Sequence, residues 1–252
     1  MIPTYGFGSA EAGADKLVSF MPGDQPCHTF QQVEQRYLQV APHTNMAGPT
    51  TFGPIIRKAI EITAASGGQY HILVIVADGQ VTRPSSAAPG QLSQFEQDTA
   101  NAIVEASNYP LSIVLVGVGD GPWDTAKAFD DAIPNRKWDN WQTVLMEESL
   151  GKKGGSLEYC PPEAEAQFAL DALMEVPDQY NITQRLNLLY SRKGVNHAKV
   201  PVLNPPEASL GGPPQGGQAS YPGQGGPPQG GQAPYPGQGG PPQGGQAPYP
   251  GQ

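Results

Sequence analysis

The sequence predicts an α/β fold, a doubly wound, mainly parallel sheet with helices on its faces. Three observations lead there. Tyr70–Ala77 is an eight-residue run of apolar or ring side chains cut off by Asp78-Gly79. It is too short to span a membrane and lacks the polar alternation of a half-exposed strand, so it reads as a strand covered on both faces. A second such run, Leu111–Val118, follows it. Segments of helical spacing lie before, between and after the two runs, and strands alternating with helices of ordinary length define this class.

The elements follow in order. Ile2–Phe7 is aromatic and β-branched, hence a strand stopped by Gly8, and Leu17–Met21 is a short second strand before the turn signal Pro22-Gly23-Asp24. Thr29–Val40 repeats Phe30, Val33, Tyr37 and Val40 at helical intervals. Gly48-Pro49-Thr50 leads into a stronger helix with Phe52, Ile55, Ile56, Ala59, Ile60 and Thr63 on one face, ended by Gly67-Gly68. After Asp78 comes a polar loop with Pro84, Ser85, Ser86, Pro89 and Gly90. Ser93-Gln94-Phe95-Glu96 then fits a capping box opening a helix with Phe95, Thr99, Ala102, Ile103 and Ala106. Gly119-Asp120-Gly121-Pro122 turns into a short helix running through Phe129 and stopped near Pro134, and Gln142–Met146 is an outer strand. Glu163–Glu175 is a helix that turns Ala166, Ala169, Leu170, Leu173 and Met174 inward and is ended by Pro177. For Tyr180–Tyr190 the pattern leaves helix and strand open.

The foldable domain is expected over residues 1–202 and a disordered tail over residues 203–252. The last 42 residues are three copies of a 14-residue unit, Gly211–Gln224, Gly225–Gln238 and Gly239–Gln252, without charge and without Leu, Ile, Val or Phe. Such a segment has too little apolar surface to offset the entropy of ordering it. Its evenly spaced Pro and Tyr (Tyr221, Tyr235, Tyr249) suit either a passive spacer or an array that binds adaptor domains or self-associates. The net charge is −9, and Glu207 is the only charge after Val202, which leaves −8 on the domain. An acidic chain argues against nucleic acid and anionic membranes as main partners. Cys27 and Cys160 form no zinc-ligand spacing, so RING and zinc-finger readings fail. No secretion signal or transmembrane run is visible, so reduced thiols and a cytoplasmic location are expected, with the nucleus or peripheral membrane attachment as alternatives.

Ligands of open α/β sheets gather at the C-terminal ends of the strands, and right-handed crossovers put the ends of Ala77 and Val118 on one rim. Asp78, Asp120 and Thr50 fall there. Thr50 with Asp78 offers part of an oxygen site for a hard cation, Mg²⁺ or Mn²⁺. The plainer alternative makes Thr50 a helix N-cap and Asp78 a turn residue. Gly117-Val118-Gly119-Asp120-Gly121 invites a dinucleotide reading, but Pro122 stands where the third glycine belongs, and a tight turn explains the run. His28, His43, His71 and His197 show no ligand spacing, Ser85 and Ser86 have no acid–base partner, and packing is the expected role of Trp123, Trp138 and Trp141.

Four strings, GPTTF (Gly48–Phe52), YHILVIVADGQVTR (Tyr70–Arg83), AIVEASNYPLSIVLVGVGDGPWD (Ala102–Asp124) and ALMEVPDQY (Ala172–Tyr180), resemble the copine-type von Willebrand factor A domain. They are most similar to the plant-type copine-related domains of RING-bearing ubiquitin ligases. The resemblance runs through nearly all of Ile2–Leu189. It implies a Rossmann-like sheet with a metal-ion-dependent adhesion site, in which Thr50 matches the threonine of the second loop and Asp78 the aspartate of the third. Thr51 is the neighbour that competes with Thr50.

The sequence departs from that pattern in one respect. No D-x-S-x-S occurs in it, and the family's first strand and first helix would precede Ile2. In the related fold that strand lies between Ile2–Phe7 and Tyr70–Ala77, so two of five side-chain ligands are present, and either the chain is a fragment or its strands close in another order. The repeats stand where the related ligases carry their RING, and the copine C2 domains are missing. The expected function is therefore a non-catalytic protein–protein interaction module. The alternatives are the substrate-recognition part of a ubiquitin-ligase system and an inactive gene fragment.

Overall fold

The computed structural model describes residues 1–87 and 91–210, without the side chains of residues 131 and 132. Pro89, Gly90 and the repeats lie outside the described residues. Three strands form the parallel sheet: β3 (His71–Ala77), β4 (Leu111–Gly117) and β5 (Trp141–Leu145), in the order β3-β4-β5. Here the numbering continues from two short strands, β1 (Tyr5–Gly6) and β2 (Leu17–Ser19), which with β6 (Val202–Leu203) make a second sheet ordered β1-β2-β6. β1 runs antiparallel to β2, and β6 parallel to it. Ordered chain thus continues past Val202, through β6 and a 3₁₀ turn at Glu207–Ser209.

Helices lie on both faces of the parallel sheet, as in a doubly wound fold. On one face α2 (Gly53–Ala65), α3 (Gln94–Ala106) and α4 (Asp124–Ala132) enclose the main core. Leu73, Ile75, Ile113, Leu115 and Trp141 meet Phe52, Ile56, Ile103 and Phe129 there. Alternation sends Val114, Val116 and Val144 to the other face, where they pack on Ala172 and Phe168 of α6 (Pro162–Leu173). The remaining helices are α1 (Phe30–Val40), capped by the Thr29 hydroxyl, α5 (Met146–Gly151) and α7 (Val176–Arg185). The segment left undecided between helix and strand is thus helical through Arg185. The capping box at Ser93 and Glu96 is present in both halves. Both cysteines are free, and the three tryptophans are buried.

Several expectations need correction. Among the described residues Tyr70–Ala77 is not covered on both faces: Ile72, Val74 and Val76 are 41, 54 and 58 % exposed, and β3 is an edge strand. The reason is local. α6 reaches β4 and β5, and no described element lies over β3 on that side. His71 N–H donates to Pro110 C=O, and Ala77 C=O accepts from Val118 N–H, so odd-numbered residues of β3 face β4. The N–H and C=O groups of Ile72, Val74 and Val76 therefore point to the open edge. On α6 the inward face is Ala164, Phe168 and Ala172. Leu170, Leu173, Met174, Ala166 and Ala169 are exposed. The helix carries apolar residues on two faces, and spacing could not say which one the sheet would take. Pro177 does not end α6, which stops at Leu173, but sits in the first turn of α7, where its missing N–H costs nothing. On α1 only Val40 is buried. Phe30 and Tyr37 stay exposed, and the helix is held by Arg36, which donates to Phe20 C=O (2.7 Å) and Ser209 C=O (3.0 Å).

Candidate functional site at the sheet rim

The parallel register pairs Ala77 with Gly117, and Val118 N–H bonds Ala77 C=O at 2.8 Å, so the ends of β3 and β4 share one rim. Three loops converge on it. Gln80 N–H donates to Pro122 C=O (3.2 Å), and the Gln80 side-chain oxygen accepts from Thr125 N–H (2.7 Å), tying the β3 loop to α4. On the other side Thr82 N–H donates to Thr50 C=O (2.9 Å), and Thr50 N–H donates to the Thr82 hydroxyl (2.7 Å). Gly121 has φ +84°, and a Cβ there would stand 2.6 Å from the Trp123 ring, so glycine is required for the turn and the close approach. That geometry accounts for the glycine run as a turn.

Glu96 organises the rim from beneath. Its carboxylate is fully buried and accepts from Ser93 N–H (2.6 Å), Arg83 Nη1 (2.7 Å) and the Thr125 hydroxyl (2.9 Å). One side chain thus joins the α3 cap, the β3 loop and the first turn of α4. Burial pushes the carboxyl up, but the Ser93 amide and hydroxyl, the Thr125 hydroxyl and Arg83 outweigh it and hold the group below the ordinary glutamate value. Sequence spacing revealed the capping box. The bonds from Arg83 and Thr125 depend on loop closure and carry no spacing signal.

The two residues expected to hold a metal are both on this rim. Thr50 does not cap α2. The N-cap position is Phe52, and Thr51 is the threonine turned inward, buried against the Thr99 hydroxyl (3.4 Å). Thr50 is half-buried and Asp78 exposed. Neither side-chain oxygen has a hydrogen-bond partner among the described residues, so both are available. Asp120 is also exposed on the β4 loop. One carboxylate and one hydroxyl fall short of the six oxygens an Mg²⁺ shell takes. Among the described residues the one group of three acids close enough to share an ion is Asp130, Asp139 and Glu175, elsewhere in the molecule. It carries structural bonds: Asp139 pairs with Arg136 at 2.6 Å, and Asp130 accepts from Thr143 N–H at 3.1 Å. Among the described residues, Thr50 and Asp78 are the two that the family's pattern places at an adhesion-type metal site on this rim.

The copine family model matches residues 1–192, more than three-quarters of the chain. The chain belongs to the copine family. Its sequence is 50 % identical over 222 residues to the Arabidopsis thaliana protein named E3 ubiquitin-protein ligase RGLG2, covering 88 % of this chain and 44 % of that protein. With E3 ubiquitin-protein ligase RGLG5 of the same plant it is 50 % identical over 194 residues, 77 % of this chain and 44 % of that protein. With Copine family protein 2 of Caenorhabditis elegans it is 43 % identical over 197 residues, 77 % of this chain and 2 % of that protein. The chain spans less than half the length of each of these relatives. Among the described residues no helix is long and apolar enough to cross a membrane.

Proposed function

We propose that this copine domain is a protein–protein interaction module that does no chemistry of its own. The observation that carries the reading is the rim, where Asp78 and Thr50 present oxygens that no described side chain uses. Such exposed oxygens offer polar contacts to a protein partner without any group placed for catalysis beside them.

Asp78→Ala tests it without touching the core, because Asp78 is exposed. The variant should lose at least about tenfold in affinity for whatever polypeptide the unaltered chain retains, with its melting temperature within about 2 °C of the parent. Retention of the same partner by both proteins would assign the interaction to another surface. A second measurement addresses the metal. With two side-chain oxygens, millimolar Mg²⁺ should raise the melting temperature by less than about 1 °C. A larger rise that disappears in Asp78→Ala would show that the rim binds the ion after all.

The second reading, substrate recognition within a ubiquitin-ligase system, is favoured by the plant relatives, which are named as E3 ubiquitin-protein ligases. On this reading the chain selects a substrate and the transfer step belongs to another segment or subunit. Two cysteines without zinc-ligand spacing supply no RING within these 252 residues. Ubiquitin chains formed by the purified protein with only the activating and conjugating enzymes would contradict both readings.

A further inference from the structure

The chain between α7 and β6 is tied to the turn that follows α3. The Tyr109 hydroxyl donates to Gly194 C=O (2.6 Å), Lys193 Nζ donates to Asn108 C=O (3.0 Å), and Val195 packs on the main core. Alternation along this extended stretch turns Ser191, Lys193 and Val195 inward, half-buried, and leaves Arg192 and Gly194 exposed. Lys193 therefore carries its ammonium toward the protein, where a lysine on a connecting segment ordinarily extends into water.

That ammonium has no counter-charge. Among the described residues Lys193 makes no ion pair, and its bond is to a neutral carbonyl. The acids on the adjoining segments are engaged elsewhere, Glu105 by His197 at 2.8 Å and Asp139 by Arg136 at 2.6 Å. The charge beside it is positive. Lys137 is exposed, and its N–H donates to the Ser107 hydroxyl (3.0 Å), one residue before Asn108, while Arg192 is the next residue in the chain. An ammonium drawn out of water and set beside another cation gives up its proton more readily than a solvated one. Burial first, and then the Lys137 charge, push the Lys193 ammonium below the ordinary lysine value. The bond to Asn108 suits the free amine as well, which donates one N–H to the carbonyl and directs its lone pair away from it.

We propose that Lys193 is an acylation site, its Nζ taking an acyl group from a small thioester. The neutral amine attacks the carbonyl carbon. The N–C bond forms, the C–S bond breaks, and the thiolate leaves with the proton released by nitrogen, giving an amide and a free thiol. Nothing is oxidised or reduced. The product suits the niche, because the amide has no charge to keep in water and none to set against Lys137. Its remaining N–H still serves the Asn108 carbonyl. A small donor fits because Nζ is drawn in against the turn after α3 and not held out on a flexible arm.

Incubation of the full chain with acetyl-coenzyme A at pH ~8, with the acetylated fraction of each lysine followed by mass spectrometry, tests it. Lys193 should react at least about threefold faster than Lys153 and Lys199, which are exposed and make no ion pair among the described residues. Its rate should also level off at a lower pH than theirs. Lys137→Glu, at an exposed position, reverses the neighbouring charge and should slow Lys193 at least about threefold while leaving Lys153 unchanged. A rate at Lys193 no higher than at Lys153 and Lys199, a pH profile shared with them, or no response to Lys137→Glu would overturn the proposal.

Discussion

Trp141→Ala is expected to cost about 3–5 kcal/mol, a large share of the roughly 5–15 kcal/mol that stabilises a domain. The indole is fully buried at the start of β5. It packs edge-on against Phe129 of α4 at 5.9 Å and tilted against Phe52, the N-cap of α2, at 6.3 Å. Its Nε1–H donates to the Thr143 hydroxyl at 2.9 Å. Removing it opens a cavity where a strand and two helices meet, so the surrounding chain can collapse only in part. Urea unfolding checks this. The midpoint should fall sharply with an unchanged slope, and Trp141→Phe should recover much of the loss. A midpoint shift corresponding to less than about 1 kcal/mol would mean that this junction is not the keystone of the core.

Glu96→Ala is expected to cost about 3 kcal/mol, lowering the melting temperature by roughly 10 °C. The loss comes from what the carboxylate leaves behind. Ser93 N–H and the Thr125 hydroxyl lose their acceptor, and Arg83 loses an ion-pair partner, although Arg83 is partly solvated and its share is reduced accordingly. The pH dependence has a defined sign. The folded carboxyl titrates below the ordinary value of 4.5, so its contribution is complete above that value and is lost as pH falls through the lower folded one. Melting temperatures of the parent and Glu96→Gln should therefore differ most near neutrality and converge in acid. A difference that is constant with pH would mean that ionisation of Glu96 does not matter. Because Glu96 joins the β3 loop to α4, Glu96→Ala should also loosen the rim that carries Thr50 and Asp78.

Much of the fold could be read from periodicity. The face of α2 from Phe52 to Thr63, the unbroken run of β4 and the capping box at Ser93 each state their environment locally, because burial, strand length and cap chemistry act within one element. Element type and order followed, and so did the rim, since parallel pairing with helical crossovers puts Ala77 and Gly117 at the same end. The assignment of Thr50 rather than Thr51 to that rim came from the family's motif, and the packing of Thr51 on Thr99 is compatible with it.

Other features had no local signal. Nothing in α6 ranks Ala164, Phe168 and Ala172 above Leu170 and Met174 as the buried face, because that choice belongs to the sheet beneath. The same holds for His197, which sequence spacing left without a partner until the chain brought it between residues of two different helices. What the amino-acid order determined by itself is the α/β character, the family and the sites of turns and caps, all set by interactions spanning a few residues. Tertiary structure alone decided which apolar surfaces find cover. β3 is apolar on both faces whatever surrounds it, and only the packed chain shows that one face has helices over it while Ile72, Val74 and Val76 meet solvent, because burial is a property of what lies opposite a residue and not of the residue.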